Sequence, residues 1–291
     1  MTLRSMVGRL ALDEDLNFLL TNRIPRRLAT RLVGWLSKIE QPLVAQGSIA
    51  VWRLFSDVDL SDAATTRFRS MHDCFTRSLR PGARIADPDP DVLASPCDAI
   101  VGAHGPIEGC EILQVKGFPY RLAELLGDDA AAAPFLGGRY VTLRLTAGMY
   151  HHFHAPHDLS VERVDYISGD CWNVNPIALK RVERLFCRNE RAAVLTRLDD
   201  GTPLMLVAVA AVLVASIRLT FLDTEQTVRE RGSFSANPAA RLAKGADMGW
   251  FEHGSTIVML APPGWAFDDA IIEGQRIRAG AALMRRQPAC A

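Results

Sequence analysis

Lys244-Gly245-Ala246-Asp247-Met248-Gly249-Trp250-Phe251-Glu252-His253-Gly254-Ser255-Thr256-Ile257-Val258-Met259-Leu260 is the stretch from which the rest of the chain is read. Gly254-Ser255-Thr256 sits where a polar, glycine-containing segment meets the continuous apolar run Ile257 to Leu260. A short apolar run bounded by a turn signal reads as a buried strand, so the triplet is expected at a tight turn into a strand. Gly254 has access to backbone angles closed to other residues. At such a turn the Ser255 hydroxyl is able to approach the carbonyl of its own preceding peptide bond. That geometry favours an N→O acyl shift in which the backbone is the substrate and Ser255 the nucleophile. Ester cleavage and β-elimination would then leave a ketone at a new N-terminus. A Gly-Ser-Thr triplet by itself is usually an ordinary turn, so the surrounding chain has to decide.

At 291 residues the chain is long enough for one large domain, or a domain with an appendage. A hydrophobic content of 48% and a charged content of 23% are ordinary for a globular protein. The 33 basic residues balance 33 acidic ones, so no global field favours nucleic acid as a partner. Cys74, Cys97, Cys110, Cys171, Cys187 and Cys290 are scattered with no Cys-x-x-Cys pair. They read as reduced thiols of a cytosolic protein, not a disulfide framework or a zinc site. Asp13, Glu14 and Asp15 interrupt the N-terminus before a secretory apolar core forms. The longest apolar run, Leu204 to Ile217, has 14 residues, whereas a spanning helix needs ~20. Its Val and Leu content, after Gly201-Thr202-Pro203, suits buried β structure. No span of a membrane is expected, which leaves room for a protein that lies on one.

Residues 1–66 read as helical. Leu28, Leu32, Trp35, Leu36 and Ile39 fall near one face at helical spacing, with Arg23, Arg26, Arg27, Arg31 and Lys38 over much of the remainder. Met1 to Ser56 carries eight Lys/Arg against four Asp/Glu, an excess of +4 in a neutral chain. Two readings are open: a helix packing its apolar stripe on the core, or a basic amphipathic helix lying at an anionic bilayer surface. Phe75 to Gly82 reads as a helix end stopped by Pro81-Gly82. After Ala94 come short segments between Gly and Pro that read as strands: Ile112 to Val115, Tyr140 to Leu145, Val161 to Ile167 and the run from Leu204. The fold class is therefore expected to be α+β: an N-terminal helical region over 1–66 on a β-rich domain over 67–291.

Three further places carry polar chemistry. Asp98 follows the proline turn of Ser95-Pro96-Cys97 and could be a plain loop residue. Four of the seven histidines fall in Tyr150-His151-His152-Phe153-His154-Ala155-Pro156-His157, which suits a metal site, an acid/base site or an exposed polar turn. Strand period would put His152 and His154 on one face, but no further ligand cluster completes a metal site. Asn189-Glu190-Arg191 could simply cap a strand.

Taken together, the motifs resemble the phosphatidylserine decarboxylase proenzymes of the bacterial, membrane-associated type. The matching stretches are FTRSLRPGAR at 75–84, SPCD at 95–98, ILQVKGFPYRLAELLG at 112–127, YHHFHAP at 150–156, SGDCWNVNP at 168–176, LFCRNER at 185–191 and KGADMGWFEHGSTIV at 244–258. They occur in family order and span most of residues 70–260.

The resemblance implies that Ser255 is the self-cleaving serine and the precursor of a covalent pyruvoyl group. Cleavage between Gly254 and Ser255 would give a β chain of 1–254 and an α chain of 255–291. Asp98 and His154 match the partners of an Asp-His-Ser arrangement for self-processing, in keeping with the need of a serine hydroxyl for a base and of that base for an orienting carboxylate. His151 matches the family's other histidine, tied to decarboxylation. Since His151 and His154 cannot share a face of a regular strand, a bend or bulge is expected near Phe153. The implied reaction is decarboxylation of phosphatidylserine to phosphatidylethanolamine, with the pyruvoyl ketone as electron sink and no metal. The implied setting is the cytoplasmic face of the cell membrane, with phosphatidylserine in an anionic bilayer as partner and a tendency to form a homodimer. The alternatives are a soluble pyruvoyl-dependent amino-acid decarboxylase, an unprocessed membrane-surface binding protein and, further off, a metal-dependent hydrolase built on His151 to His157. Ala99, Leu159 and His253 depart from the family pattern, as does Ala for Gly in VAVAAVLVASI; these changes touch turns and packing, not the reacting groups.

Overall fold

The computed structural model describes residues 14–22, 25–115, 118–211, 217–252 and 255–288. Of the positions named above, 1–13, Arg23, 212–216, His253, Gly254 and Cys290 lie outside the described residues.

The architecture is α+β. Among the described residues three helices come first, α1 (Glu14–Asn22), α2 (Arg26–Ser37) and α3 (Pro42–Phe55). Gln41 caps α3 by accepting the Val44 amide at 2.8 Å, and Pro42 sits in the first turn, where its missing N–H is no loss. Helix stops at Phe55, not at 66. Beyond it, short polar side chains take backbone bonds that a helix would need: Asp59 accepts the Ser61 amide and Thr65 the Arg67 amide. A short helix, α4 (Met71–Phe75), is capped by Ser70 and ends at Phe75, well before Pro81-Gly82. There the chain turns so that Arg77 buries its guanidinium against the carbonyls of Asp59, Cys74 and Gly148. Pro81-Gly82 is thus a separate turn, with Gly82 at φ +78°.

The main sheet is antiparallel. Its described order is Phe234–Ala236, β4 (Leu159–Ile167), β5 (Arg191–Leu198), β6 (Pro203–Ala210), β9 (Ser255–Ala261), β2 (Arg139–Leu145), β1 (Ala99–Pro106) and Arg276–Ile277, with Arg241–Leu242 also on β4. The expected strands at 140–145, 161–167 and 257–260 are present; the run from Leu204 is strand over Pro203–Ala210, with 212–216 outside the described residues, and the strand expected over Ile112 to Val115 is the shorter Glu111–Leu113. Every residue of β9 is buried, because β6 and β2 flank it and both sheet faces are covered. Ile257 and Met259 join one core with Leu143, Phe153 and Phe251; Val258 and Leu260 join the other with Val209, Tyr140, Leu125 and Leu179. A strand covered on both sides reads as a continuous apolar run for that reason.

A second small sheet sets β8 (Asp247–Phe251) between β7 (Ile217–Leu219) and β3 (His152–His154). The last residue of β8 lies four positions before Ser255, so this sheet delivers the chain to the head of the central strand.

The apolar stripe of α2 does not pack on the core. Leu28 is 56% exposed, Leu32 57%, Trp35 68% and Leu36 45%. It is the opposite side of the helix, with buried Thr30 and Ser37, that faces the protein.

Candidate active site

Ser255 opens β9, opposite Leu145 of β2 and Ala210 of β6. The residue is fully buried, and its Oγ has no hydrogen-bond partner among the described residues. Buried hydroxyls are nearly always satisfied, so an unengaged one at the head of a central strand is a chemical feature. It lines a cavity of about 380 Å³. The walls are mostly apolar and come from the helices as well as the sheet: Val33 of α2, Trp52 of α3, Phe75 of α4 and the segment Asn173 to Pro176. The N-terminal helices thus roof the serine.

Asp98 and the histidine motif meet each other at a second place, apart from the walls of that cavity. The His154 amide donates to the Pro96 carbonyl at 2.7 Å, tying the Ser95–Asp98 loop to β3. Arg84 grips the Asp98 carboxylate through Nε at 2.7 Å and Nη2 at 2.5 Å, and the Ala279 amide donates to it at 2.9 Å. The His154 ring lies 3.1 Å from the Gly245 carbonyl through Nδ1 and 3.2 Å from the Tyr150 hydroxyl through Nε2. A small cavity of about 30 Å³ has both Arg84 and His154 in its wall. Asp98 and His154 are therefore neighbours, yet among the described residues no hydrogen bond joins them, nor His154 to Ser255. Burial holds the His154 pKa below the ordinary 6.5, against the opposing pull of Asp247. A neutral imidazole is the form able to take a proton.

His151 lies elsewhere. It is fully buried, its Nδ1 is 2.8 Å from the Met149 carbonyl, and its ring lies tilted against Phe75 with centroids 4.0 Å apart. Phe75 also lines the Ser255 cavity, so His151 stands behind that wall. The irregularity expected near Phe153 falls on the facing strand: the β8 register slips between Asp247 and Gly249, opposite His154 and Phe153. His152 is held by Asp247 at 2.7 Å and the Thr76 carbonyl at 3.1 Å, between the rings of Tyr150 and Trp250. His157 is bonded to the Pro90 carbonyl at 2.8 Å. No three His, Cys, Asp or Glu side chains converge as a metal-binding group among the described residues.

Two groups escaped the sequence reading. Glu252 is clamped by Arg218 of β7 at 3.1 Å, with Lys38 at the end of α2 3.7 Å away and His72 of α4 3.9 Å away. It fixes the chain three residues before Ser255. Asn189, read as a strand cap, is fully buried; it donates to the carbonyls of Ala210 and Trp172 and accepts the Trp172 amide. It thereby links the partner of Ser255 to the segment that walls the cavity. Arg191 is structural, with its guanidinium spread over the carbonyls of Glu124, Leu125, Cys187 and Asn189.

A family model described as phosphatidylserine decarboxylase matches residues 71–285. The chain belongs to the phosphatidylserine decarboxylase family. The match starts at the first residue of α4 and contains Asp98, His151, His154 and Ser255. Relatives extend further. A phosphatidylserine decarboxylase proenzyme of Xanthomonas euvesicatoria pv. vesicatoria is 37% identical, over 92% of this chain and 98% of its own length. One from Xanthomonas axonopodis pv. citri is 36% identical over the same shares, and one from Bordetella pertussis 36% over 82% of this chain and 83% of its own. The α2–α3 region is thus shared with decarboxylase relatives although the family model begins after it.

Proposed function

We propose that this member of the phosphatidylserine decarboxylase family cuts its own backbone between Gly254 and Ser255 and then decarboxylates phosphatidylserine to phosphatidylethanolamine. The observation that carries the reading is the buried, unengaged Ser255 hydroxyl facing an apolar cavity. In the first step Oγ attacks the Gly254 carbonyl carbon, the C–N bond breaks, and the proton of the hydroxyl passes to the Ser255 nitrogen. Loss of the Cα proton then expels the Gly254 carboxylate, and water releases ammonia to leave a pyruvoyl terminus on residues 255–291. His154, neutral at pH 7 through burial, takes the hydroxyl proton. Asp98, fixed by Arg84, supplies the carboxylate that stabilises His154 as it charges.

The residues fit a pyruvoyl group at this position: the hydroxyl is free to react and the surrounding walls exclude water. When present, the group supplies the ketone that accepts the electrons freed by loss of CO2. A positioned acid, His151 or His154, gives the proton that the product carbon receives. Arg218 and Lys38 keep Glu252, and with it the chain entering the site, in place. The cavity walls from α2 and α3 meet the glycerol and first acyl carbons of the lipid.

No described helix is long and apolar enough to cross a membrane. The exposed stripe of Leu28, Leu32, Trp35 and Leu36, with the basic residues of its sequence, docks the protein on the cytoplasmic face of the membrane. A homodimer of cleaved protomers is what the family resemblance implies, and sedimentation would check it. Intact mass measurement tests the whole reading. Two chains, 1–254 and 255–291, are expected, the smaller lacking a free amino terminus and reacting with carbonyl reagents. A single intact chain that retains activity would overturn it.

A further inference from the structure

Arg144 is the one charged side chain among the described residues that line the Ser255 cavity. It also borders a second cavity of about 260 Å³ on the side of Lys180 and Glu273. It makes no hydrogen bond and no ion pair among the described residues; the acid that acts on it through space is Glu273, and burial pushes its pKa down. An arginine nevertheless keeps its charge. The other buried arginines have partners: Arg84 on Asp98 and Asp62, Arg77 on three carbonyls through its two terminal nitrogens, Arg191 on four. A half-buried guanidinium without a partner is costly, so Arg144 reads as a cation kept for an anion that arrives.

Its place fits that purpose. Arg144 of β2 stands directly opposite Thr256 of β9, about 5 Å away as such pairs are. Its Cα is then roughly 6 Å from that of Ser255, one residue along the strand. The Thr142 and Thr256 hydroxyls lie on the same sheet face, both buried and both without a hydrogen-bond partner among the described residues. The cavity rounds the end of the sheet, where Arg144 from one face and Ser255 from the other share its wall.

We propose that Arg144 binds the phosphodiester of the lipid head group. The inference rests on the Ser255 cavity being the decarboxylation site. The substrate carries two anions there, and the chemistry separates them. The carboxylate is lost as CO2, so a strong ion pair to it would hold the ground state and oppose the reaction. The phosphodiester keeps its charge from substrate to product. A contact to it is equally strong at every stage and shows in KM rather than kcat. The flat two-pronged donor face of a guanidinium suits a phosphodiester.

The test uses the full processed protein and dihexanoyl phosphatidylserine below its micellar concentration, so that bilayer docking plays no part. Self-cleavage is read first by intact mass. A parent that fails to form two chains defeats the catalytic assignment itself and is distinguishable from failure of this one. Arg144→Gln is expected to cleave like the parent, to raise KM by about tenfold or more and to leave kcat within about twofold. Arg144→Lys, which keeps the charge and loses the two-pronged geometry, is expected to fall between. Binding of dihexanoyl phosphatidylethanolamine, followed by calorimetry, is expected to weaken by the same factor as KM rises, because the product retains the phosphodiester alone. An unchanged KM, or a fall in kcat alone, overturns the proposal. A raised KM with parent-like phosphatidylethanolamine binding also overturns it, by assigning Arg144 to the carboxylate. If Arg144→Gln does not fold, Arg144→Lys decides: product binding several-fold weaker supports the contact, and parent-like binding removes it.

Discussion

Strand β9 and helix α2 are built from similar apolar residues and send them in opposite directions. All seven residues of β9 are buried, whereas Leu28, Leu32 and Trp35 of α2 are each more than half exposed. A strand inside a sheet depends on its neighbours for backbone hydrogen bonds, and here β2 and β6 enclose it while two cores cover its faces. A helix satisfies its own backbone and needs one anchored side only. In α2 that side carries Thr30, Val33 and Ser37, and the large residues are left on the other. A contiguous exposed apolar face is an interaction surface. On the proposed function, the buried run would carry the chemistry and the exposed run would set where it happens.

The sharpest way to separate the two regions is at the head of β9. Ser255→Ala is expected to abolish cleavage and activity together, seen as one 291-residue chain on a gel; α2 should still bind vesicles. Next in size, Asp98→Asn and His154→Ala are each expected to slow cleavage by about 100-fold or more in folded protein. Normal cleavage in both would hand activation of Ser255 to another group. For the exposed face, Leu32→Ser with Trp35→Ser is expected to weaken co-sedimentation with anionic vesicles by about tenfold or more. Arg26, Arg27 and Arg31 changed together to Gln should lose about 1 kcal/mol of binding per charge at low salt, and less at high salt. Cleavage proceeds in all these helix variants. If they bind and turn over lipid like the parent, α2 is no docking surface.

Smaller effects sharpen the picture. Burial holds His154 and His72 below 6.5, so in the window just below 6.5 the unfolded chain binds more protons than the fold. Stability therefore falls as pH drops through that window. Cleavage should slow with it, since protonated His154 cannot take the serine proton. Cell-free synthesis at fixed pH values measures the rate, and faster cleavage in acid would exclude His154 as the base. Smallest of all, Arg218→Ala should slow cleavage by about fivefold, the loss of ~1 kcal/mol from a largely buried ion pair on Glu252. A rate equal to the parent's would mean that β8 alone positions the chain.

Much of the fold was legible because the main strands carry local signals. The apolar runs at 140–145, 204–210 and 257–260 needed no knowledge of their partners. The ordered motifs brought Asp98, His151, His154 and Ser255 forward as a set. What was not legible depends on contacts between distant segments. That Asp98 is gripped by Arg84, that Tyr150 meets His154 across one turn of motif, and that Glu252 is pinned by Arg218 are all matters of three-dimensional approach. Arg144 was not singled out in the sequence; only its place in the cavity wall and the absence of a partner among the described residues distinguish it. The direction of α2 was equally hidden, since a helical period gives the stripe without saying what covers it.

Val33 lies in the wall of the serine cavity and Trp35, two positions on, faces outward. A helix is about 10 Å across, so with α2 on the bilayer a lipid head group has only that distance to travel and no bulk water to cross. With that docking, the enzyme would meet its substrate by diffusion in a plane. Turnover would follow the mole fraction of phosphatidylserine in the surface, not its amount per volume. Mixing neutral phosphatidylcholine into the vesicles is then expected to slow the reaction, whereas adding buffer to vesicles already carrying the enzyme is expected to leave it unchanged.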